Sequence, residues 1–414
     1  MTHWNVKIWI KTGGLFLAVG LLSWRVLVNG LAGYYSSQET LEADTGALRW
    51  RSDQPAVLYR RGVALSERDP TAAKPLLQAA AWGNPTDALT DLALADLWWR
   101  TGRETAATEL VVIADTLAPL HSPALARSAA FWVRQNRLDL ALERWNMLLR
   151  TQPENAVRLY PVLLQLAEEP TTRPLLQPWL ANPPEWWDRF FAYATTTAIQ
   201  PDTAVFLYQN SNRNGALPTV DEQRIYLEWL REENRWLEMY LAWLSGLDEQ
   251  QQQSLGNLYN GSFELPISNV GFDWRITSPR GVTVEIIETY DTHGGKALRV
   301  SFSGVRVHFQ HIYQYLYLEP GRYLLRGRAR LDSLRAERGL RWRLRCVGGD
   351  TPLLAESEPF VGSDNWRDFE VEFAVPDQGC LAQLLRLELE GRVELEFEAQ
   401  GDAWFDDLTI SRRK

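Results

Sequence analysis

The chain has 414 residues, 45% of them hydrophobic and 23% charged, with 19 Trp and a net charge of −9. This length suits two folded domains plus an appendage, because single domains mostly run to roughly 100–200 residues. The acidic balance excludes a general nucleic-acid binder, since neutralising phosphates needs a basic surface, although local basic patches stay open.

Residues 12–31, TGGLFLAVGLLSWRVLVNGL, carry one charge, Arg25, and no proline. A helix of about 20 such residues spans the roughly 30 Å hydrocarbon layer of a bilayer. Lys7 and Lys11 precede the run, and Glu39, Glu42 and Asp44 follow it. The charge asymmetry predicts a single-pass helix in a bacterial inner membrane, with the N-terminus cytoplasmic and the bulk of the chain periplasmic. Residues 1–35 are thus expected to be a cytoplasmic stub and anchor, with Arg25 snorkelling outward beside Tyr34 and Tyr35. A cleaved signal peptide is the competing reading, because Gly30-Leu31-Ala32 is small-x-small. Both readings export the chain; the long apolar run and Arg25 favour the retained anchor, and the lack of a cysteine after it excludes a lipoprotein.

Residues 36–256 are expected to form a helical domain; between Asp53 and Asn155 the text is Ala- and Leu-rich with short polar turns, the pattern of antiparallel helix pairs. Pro85, Pro119 and Pro153 recur every 34 residues, as do Ala73, Ala107 and Ala141, Trp98 with Trp132, and Arg103 with Arg137. Small Ala lets two helices approach, and proline ends the second helix of each pair. In LWWRTGRETAATELVVIADTLAP and FWVRQNRLDLALERWNMLLRTQP this pattern resembles the tetratricopeptide repeat, which implies a stacked α-solenoid that binds a protein partner. Beyond Glu169 prolines break the period, and Glu233-Asn234-Arg235-Trp236 echoes Gln135-Asn136-Arg137-Leu138 as a degenerate repeat. The paired Trp98, Trp99, Trp186 and Trp187 are expected in the core, because adjacent helix positions do not face one groove.

From 257 to 414 the period changes to alternation, about eight strands with Gly, Pro or Asp turns, which predicts an antiparallel β-sandwich. The fold class is therefore multidomain α then β: a transmembrane helix, a TPR-like α-solenoid and a C-terminal jelly roll. Cys346 and Cys380 lie in strand-like text outside any CxxC or Cys/His cluster. They are two buried thiols in a reducing compartment, or a disulfide outside the membrane if their Cα atoms come within about 7 Å.

Asn260-Gly261-Ser262-Phe263-Glu264, Gly271-Phe272-Asp273-Trp274, Gly294-Gly295-Lys296-Ala297-Leu298-Arg299-Val300 and Trp404-Phe405-Asp406-Asp407-Leu408 together resemble the jelly-roll carbohydrate-binding modules of the CBM4/9 type. The resemblance covers nearly all of this half. It implies a possible glycan ligand and a structural calcium held by Glu264 and Asp406 with carbonyls near Ser262; the alternative is that these carboxylates cap turns. Candidate glycan-binding residues are Trp274, Trp366, Tyr313, Tyr315, His311 and Gln310, each weighed against a place in the core. Alternation puts Phe309, His311, Tyr313, Tyr315 and Tyr317 on one face and His308, Gln310 and Gln314 on the other.

Arg326, Arg328 and Arg330 alternate on one strand and Arg341, Arg343 and Arg345 on another, with glutamate ladders such as Glu370 and Glu372 and Glu388 and Glu390 elsewhere. Neighbouring arginine strands would attract an acidic polysaccharide; arginine beside glutamate strands would make cross-strand ion pairs. The five His, namely His3, His121, His293, His308 and His311, form no known catalytic pattern, and no nucleophile elbow or P-loop occurs. The chain is therefore expected to be no enzyme and to need no cofactor. The expected role is a scaffold for envelope or exopolysaccharide assembly or export, with repeats holding a protein partner and the sandwich a glycan; the alternative is a purely protein-binding scaffold.

Overall fold

The computed structural model describes residues 3–211, 218–347 and 352–413, with side chains from Leu15 onward, so Lys7 and Lys11 fall outside the described side chains. The chain forms helices first and strands last. The helices are α1 (His3–Ser36), α2 (Leu41–Trp50), α3 (Pro55–Leu65), α4 (Pro70–Gly83), α5 (Ala88–Arg100), α6 (Glu104–Leu117), α7 (Ser122–Arg134), α8 (Leu138–Thr151), α9 (Ala156–Glu168), α10 (Gln177–Ala181), α11 (Trp187–Thr197), α12 (Pro201–Asn210), α13 (Val220–Glu232), α14 (Trp236–Ser245) and α15 (Glu249–Gln253). Within α1, Leu15–Ser36 is long and apolar enough to cross a membrane.

The 34-residue period is visible in the helix boundaries: α5 and α6 start at Ala88 and Glu104, α7 and α8 at Ser122 and Leu138. Ala73, Ala107 and Ala141 are fully buried where helices cross. The turn inside each pair repeats too. Gly102, Asn136 and Asn234 take left-handed backbone conformations at φ 80°, 56° and 56°. The amides of Arg103, Arg137 and Arg235 then donate to the carbonyls of Trp98, Trp132 and Leu230 at 2.8, 2.9 and 2.8 Å. This is the helix-ending Schellman arrangement, which needs Gly or Asn at the turn. The Glu233 to Trp236 echo therefore encodes the same turn.

Among the described residues ten strands follow: β1 (Arg275–Ile276), β2 (Val282–Glu288), β3 (Lys296–Arg306), β4 (Ile312–Leu316), β5 (Gly321–Ala336), β6 (Leu340–Val347), β7 (Leu353–Glu356), β8 (Gly362–Val375), β9 (Ala382–Leu389) and β10 (Glu398–Arg412). They make two five-stranded antiparallel sheets, ordered β1-β4-β9-β6-β7 and β2-β3-β10-β5-β8. Between them lies one core that includes Phe263, Trp274, Leu298, Leu325, Trp342, Leu385 and Phe405. Cys346 and Cys380 form a disulfide, with Cα atoms 5.0 Å apart, at the end of the β6–β9 pair.

The Asn260 to Glu264 and Trp404 to Leu408 segments meet as a structural clasp. The Leu408 amide donates to the Gly261 carbonyl at 2.9 Å. A Cβ on Gly261 would fall 1.8 Å from the Leu408 carbonyl oxygen, so glycine is required there. The Asn260 side chain holds both the amide and the carbonyl of Leu265 at 3.1 Å.

The chain divides into two compact units, 1–176 with 184–186, and 177–183 with 187–414. The change from helix to strand near 256 is thus not the border between units. The physical reason is aromatic packing: Trp236 and Tyr240 on α14 lie 5.3 and 5.5 Å from Tyr315 and Tyr317, and Trp243 lies 5.1 Å from Tyr259. Gly271, at φ 60°, leaves room for the Trp243 ring, which a Cβ would approach to 2.3 Å.

Candidate functional site

Antiparallel register sets out a row of side chains across the outer face of the first sheet. Arg275 on β1 is opposite Tyr313 on β4, Tyr313 is opposite Arg386 on β9, and Arg386 is opposite Arg343 on β6. Tyr315 and Leu384 form the next row outward. Inward positions Ile312 and Leu316 are buried, so the two tyrosines point away from the core as strand alternation requires.

An open cleft of about 500 Å³ lies on this face, lined by Tyr313, Tyr315, His311, Gln310, Arg275 and Arg386 together with Asn269 and Leu384. Tyr313 and Tyr315 meet edge to face at 5.7 Å. Burial pushes the Tyr315 hydroxyl up and holds the His311 imidazole below its ordinary value. Arg386 is committed to Glu388, at 2.6 Å. Arg275 donates to the Asn269 carbonyl and lies 3.9 Å from Glu228 on α13. A second hollow, of about 470 Å³, shares Arg275 and runs between α11 and α13 past Thr195, Ile225 and Trp229. Among the described residues lining the first cleft there is no carboxylate.

Four of the six candidate residues therefore converge: Tyr313, Tyr315, His311 and Gln310. The other two do not. Trp274 is fully buried, its ring 5.2 Å from Phe263 and 5.7 Å from Trp342, with Nε1 donating to the Asn260 carbonyl at 3.0 Å. Trp366 sits on the opposite sheet, half-buried, donating to the Tyr290 carbonyl at 3.0 Å. The guanidinium groups of Arg328 and Arg330 lie 5.3 Å from its ring.

The expected sharing of faces also changes. Phe309 is buried, although it has the parity of His311, because the chain at 307–311 is irregular and β4 starts only at Ile312. Gln314 is fully buried and closes an amide pair with Tyr259, accepting from its N–H at 3.1 Å and donating to its carbonyl at 2.9 Å. Arg275, Asn269 and Arg386 are site residues that sequence reasoning missed; the only signal was the Arg386–Glu388 alternation.

The arginine ladders lie on different sheets, β5 in one and β6 in the other. Arg326 pairs with Glu370 at 2.8 Å, and Arg343 with Glu388 and Glu356 at 2.9 and 3.0 Å. Arg326 and Arg343 thus make cross-strand ion pairs, whereas Arg330 packs over the rings of Tyr290 and Trp404.

Glu264 and Asp406 face amide and ammonium donors. The Lys296 amide donates to Glu264 at 2.9 Å, the Lys296 ammonium to the Glu264 carbonyl at 3.0 Å, and the amides of Asp407 and His293 to Asp406 at 2.7 and 3.3 Å. Burial pushes the Asp406 carboxyl up, which disfavours its charged form. No group of three or more His, Cys, Asp or Glu side chains among the described residues is placed to hold a metal ion. The groups found around the two carboxylates that the resemblance assigns to calcium are thus these amide and ammonium donors.

In the first unit a polar groove of about 440 Å³ is lined from α3, α5 and α7 by Val63, Ala93, Asp96, Arg68, Arg100 and Arg127. Burial pushes the Asp96 carboxyl up despite Arg134, with which it pairs.

No family model matches the chain, and no curated protein matches it. Among solved structures it is similar to a CBM4 domain, at 17% identity over 38% of this chain and 99% of that one, with a TM-score of 0.29. It is also similar to TmCBM61 in complex with β-1,4-galactotriose, at 19% identity over 39% of this chain and 100% of that one, with a TM-score of 0.27. A third is the CBM22-1 xylan-binding domain of Paenibacillus barcinonensis Xyn10C, at 16% identity over 37% and 92%, with a TM-score of 0.26. At these values the likenesses define neither a family nor a ligand for this chain.

Proposed function

We propose that this protein is a non-catalytic, membrane-anchored scaffold of the cell envelope whose sandwich holds a polysaccharide strand in the Tyr313 cleft and whose TPR-like repeats hold a protein partner. The observation that carries the reading is the convergence of Tyr313, Tyr315, His311 and Gln310 on one open cleft. A sugar needs a flat apolar surface for its C–H face and a few converging polar groups for its hydroxyls. Tyr313 supplies the ring, while Gln310, Asn269 and His311 supply donors and acceptors. Arg275 suits an acidic substituent on the sugar.

The retained anchor is supported by packing, since Ala32, at the small-x-small position, is fully buried in the first unit. The Cys346–Cys380 disulfide supports an oxidising compartment such as the periplasm. The charged groove between α3, α5 and α7 supports a protein partner for the repeats. A glycosidase needs two carboxylates flanking the bond, and the described cleft lining supplies none.

Affinity electrophoresis of the detergent-solubilised full chain against neutral and acidic polysaccharides tests the glycan reading. Tyr313→Ala should weaken retention at least about tenfold, equivalent to about 1.4 kcal/mol, while Trp366→Ala leaves it unchanged. Retention unaffected by Tyr313→Ala, or absent with every polymer, would return the sandwich to a purely protein-binding role.

A further inference from the structure

The apolar helix does not end at the membrane surface. In α1, Leu15, Phe16 and Val26 are 64%, 76% and 71% exposed, but from Val28 onward one face turns inward until Ala32 is at 0% and Ser36 at 7%. The partner is α2, folded back antiparallel along it. Arg51 reaches Asn29 at 3.5 Å, Gln54 donates to the Ser36 hydroxyl at 3.2 Å, and Arg60 donates to the Ser36 carbonyl at 3.0 Å. The Tyr35 ring lies 3.2 Å from where a Gly46 Cβ would be.

This hairpin cannot be immersed in lipid. α2 carries Glu42, Asp44 and Arg49, and Asp44 pairs with Arg60; each ionised side chain at a bilayer centre costs about 2.5–3.5 kcal/mol or more. The hydrocarbon boundary therefore lies on the N-terminal side of the α2–α3 corner. Arg25 marks that level, because Arg51 at the corner reaches Asn29, about one turn of α1 beyond Arg25, which is the one charged residue in the apolar run 12–31.

Two tryptophans emerge at the same level. Trp50, 40% exposed, ends α2 between Arg49 and Arg51. Trp82, 90% exposed, lies at the end of α4, which stops beside the same corner: a Cβ on Gly83 would lie 2.7 Å from Pro55 and 3.7 Å from the Asp53 carbonyl. Tryptophan is favoured at the headgroup layer, where an amphipathic ring meets both lipid and water, and nearby arginines add attraction to anionic lipids of about 1 kcal/mol each.

We infer that the α2–α3 corner and the end of α4 rest on the outer headgroup layer through Trp50, Trp82, Arg49 and Arg51, seating the repeat unit on the membrane with the hydrocarbon edge at Arg25. This rests on the anchored reading. Its occupant is the bilayer surface, argued from continuity with α1.

The test is nitroxide labelling of the full chain in nanodiscs of phosphatidylcholine and phosphatidylglycerol. The two native cysteines are paired, so Leu17→Cys, Trp82→Cys and Val157→Cys each offer one reactive thiol; Trp82 and Val157 are 90% and 84% exposed and tolerate change. Collision with oxygen against a water-soluble nickel complex reads depth. The expected order is Leu17 in lipid, Trp82 at the headgroups and Val157 in water. A Trp82 label as aqueous as Val157, with Leu17 in lipid, overturns the seating and leaves the anchor. A Trp82 label shielded from both reagents shows a protein contact and also overturns it. A Leu17 label in water overturns the anchor and the seating together.

Discussion

On the outer face of the β1-β4-β9-β6-β7 sheet, arginines are spent on carboxylates across strands, and the tyrosines between them border an open cleft. On the outer face of the β2-β3-β10-β5-β8 sheet, Arg330 is instead 8% exposed, packed 4.2, 4.5 and 5.3 Å from the rings of Trp404, Tyr290 and Trp366. Both faces have the residue types of a glycan site. The first leaves two tyrosine rings beside a hollow; around Arg330 the second uses its rings to cover a cation. The availability of an aromatic is thus decided by its neighbours across the sheet, and the residue type alone says little.

The largest effect should come from the core that both faces share. Trp274→Ala removes a fully buried indole and should cost about 3–5 kcal/mol in urea unfolding, with both faces lost. Trp366→Ala should cost about 1 kcal/mol, the scale of partly exposed cation–π contacts. Equal costs would mean that the outer cluster is as integral as the core.

A second contrast separates ion pairs by burial. Glu388 is 7% exposed; burial alone would raise its carboxyl, but Arg343, Arg386 and Arg345 outweigh this and hold it below its usual range. Glu388→Ala takes the carboxylate from Arg386 and Arg345 and leaves Arg343 with Glu356; it should cost about 2–3 kcal/mol, below the 3–5 kcal/mol typical of a fully buried pair. Glu370→Ala, whose pair with Arg326 has side chains 50% and 57% exposed, should cost under about 1 kcal/mol. The Glu388 contribution is present above its unfolded value of 4.5 and is lost as pH falls through its lower folded value. Acid titration of the wild type against Glu388→Gln by circular dichroism reads it.

Much of the helical part was legible because one period carries both packing and turns: Ala107 and Ala141 mark the crossings, Gly102 and Asn136 the left-handed corners. In the sandwich, strand alternation on β4 puts Tyr313 and Tyr315 on one face, and the buried Ile312 and Leu316 show that this face is the outer one. It fails at Phe309, where the irregular stretch before β4 breaks parity, and it is silent on α14, which brings Trp236 against Tyr315. The Asn260 to Glu264 signature reads equally as a sugar-module hallmark and as a clasp. Only the approach of Gly261 to the Leu408 carbonyl shows which job those residues perform here. Arg275 escaped notice because its role depends on register with Tyr313, a long-range pairing that no local pattern encodes.

The smallest effect concerns pH on the cleft face. Burial lowers the His311 imidazole below its ordinary 6.5, which favours the neutral ring at pH 7; its Nδ1 accepts from the Gln310 amide at 3.2 Å, which leaves Nε2–H to donate to a sugar hydroxyl. A bound glycan covers the ring further and depresses its pKa again, so by linkage protons compete with the ligand. Affinity should therefore be constant above the ordinary value and fall a few-fold as pH drops through the lower value of the free cleft. His311→Gln should flatten that profile between pH 7 and 5 while keeping most of the neutral-pH affinity. Trp366→Ala on the opposite face should leave the profile unchanged. A pH response that survives in His311→Gln would assign it to another group and remove His311 from the ligand's contacts.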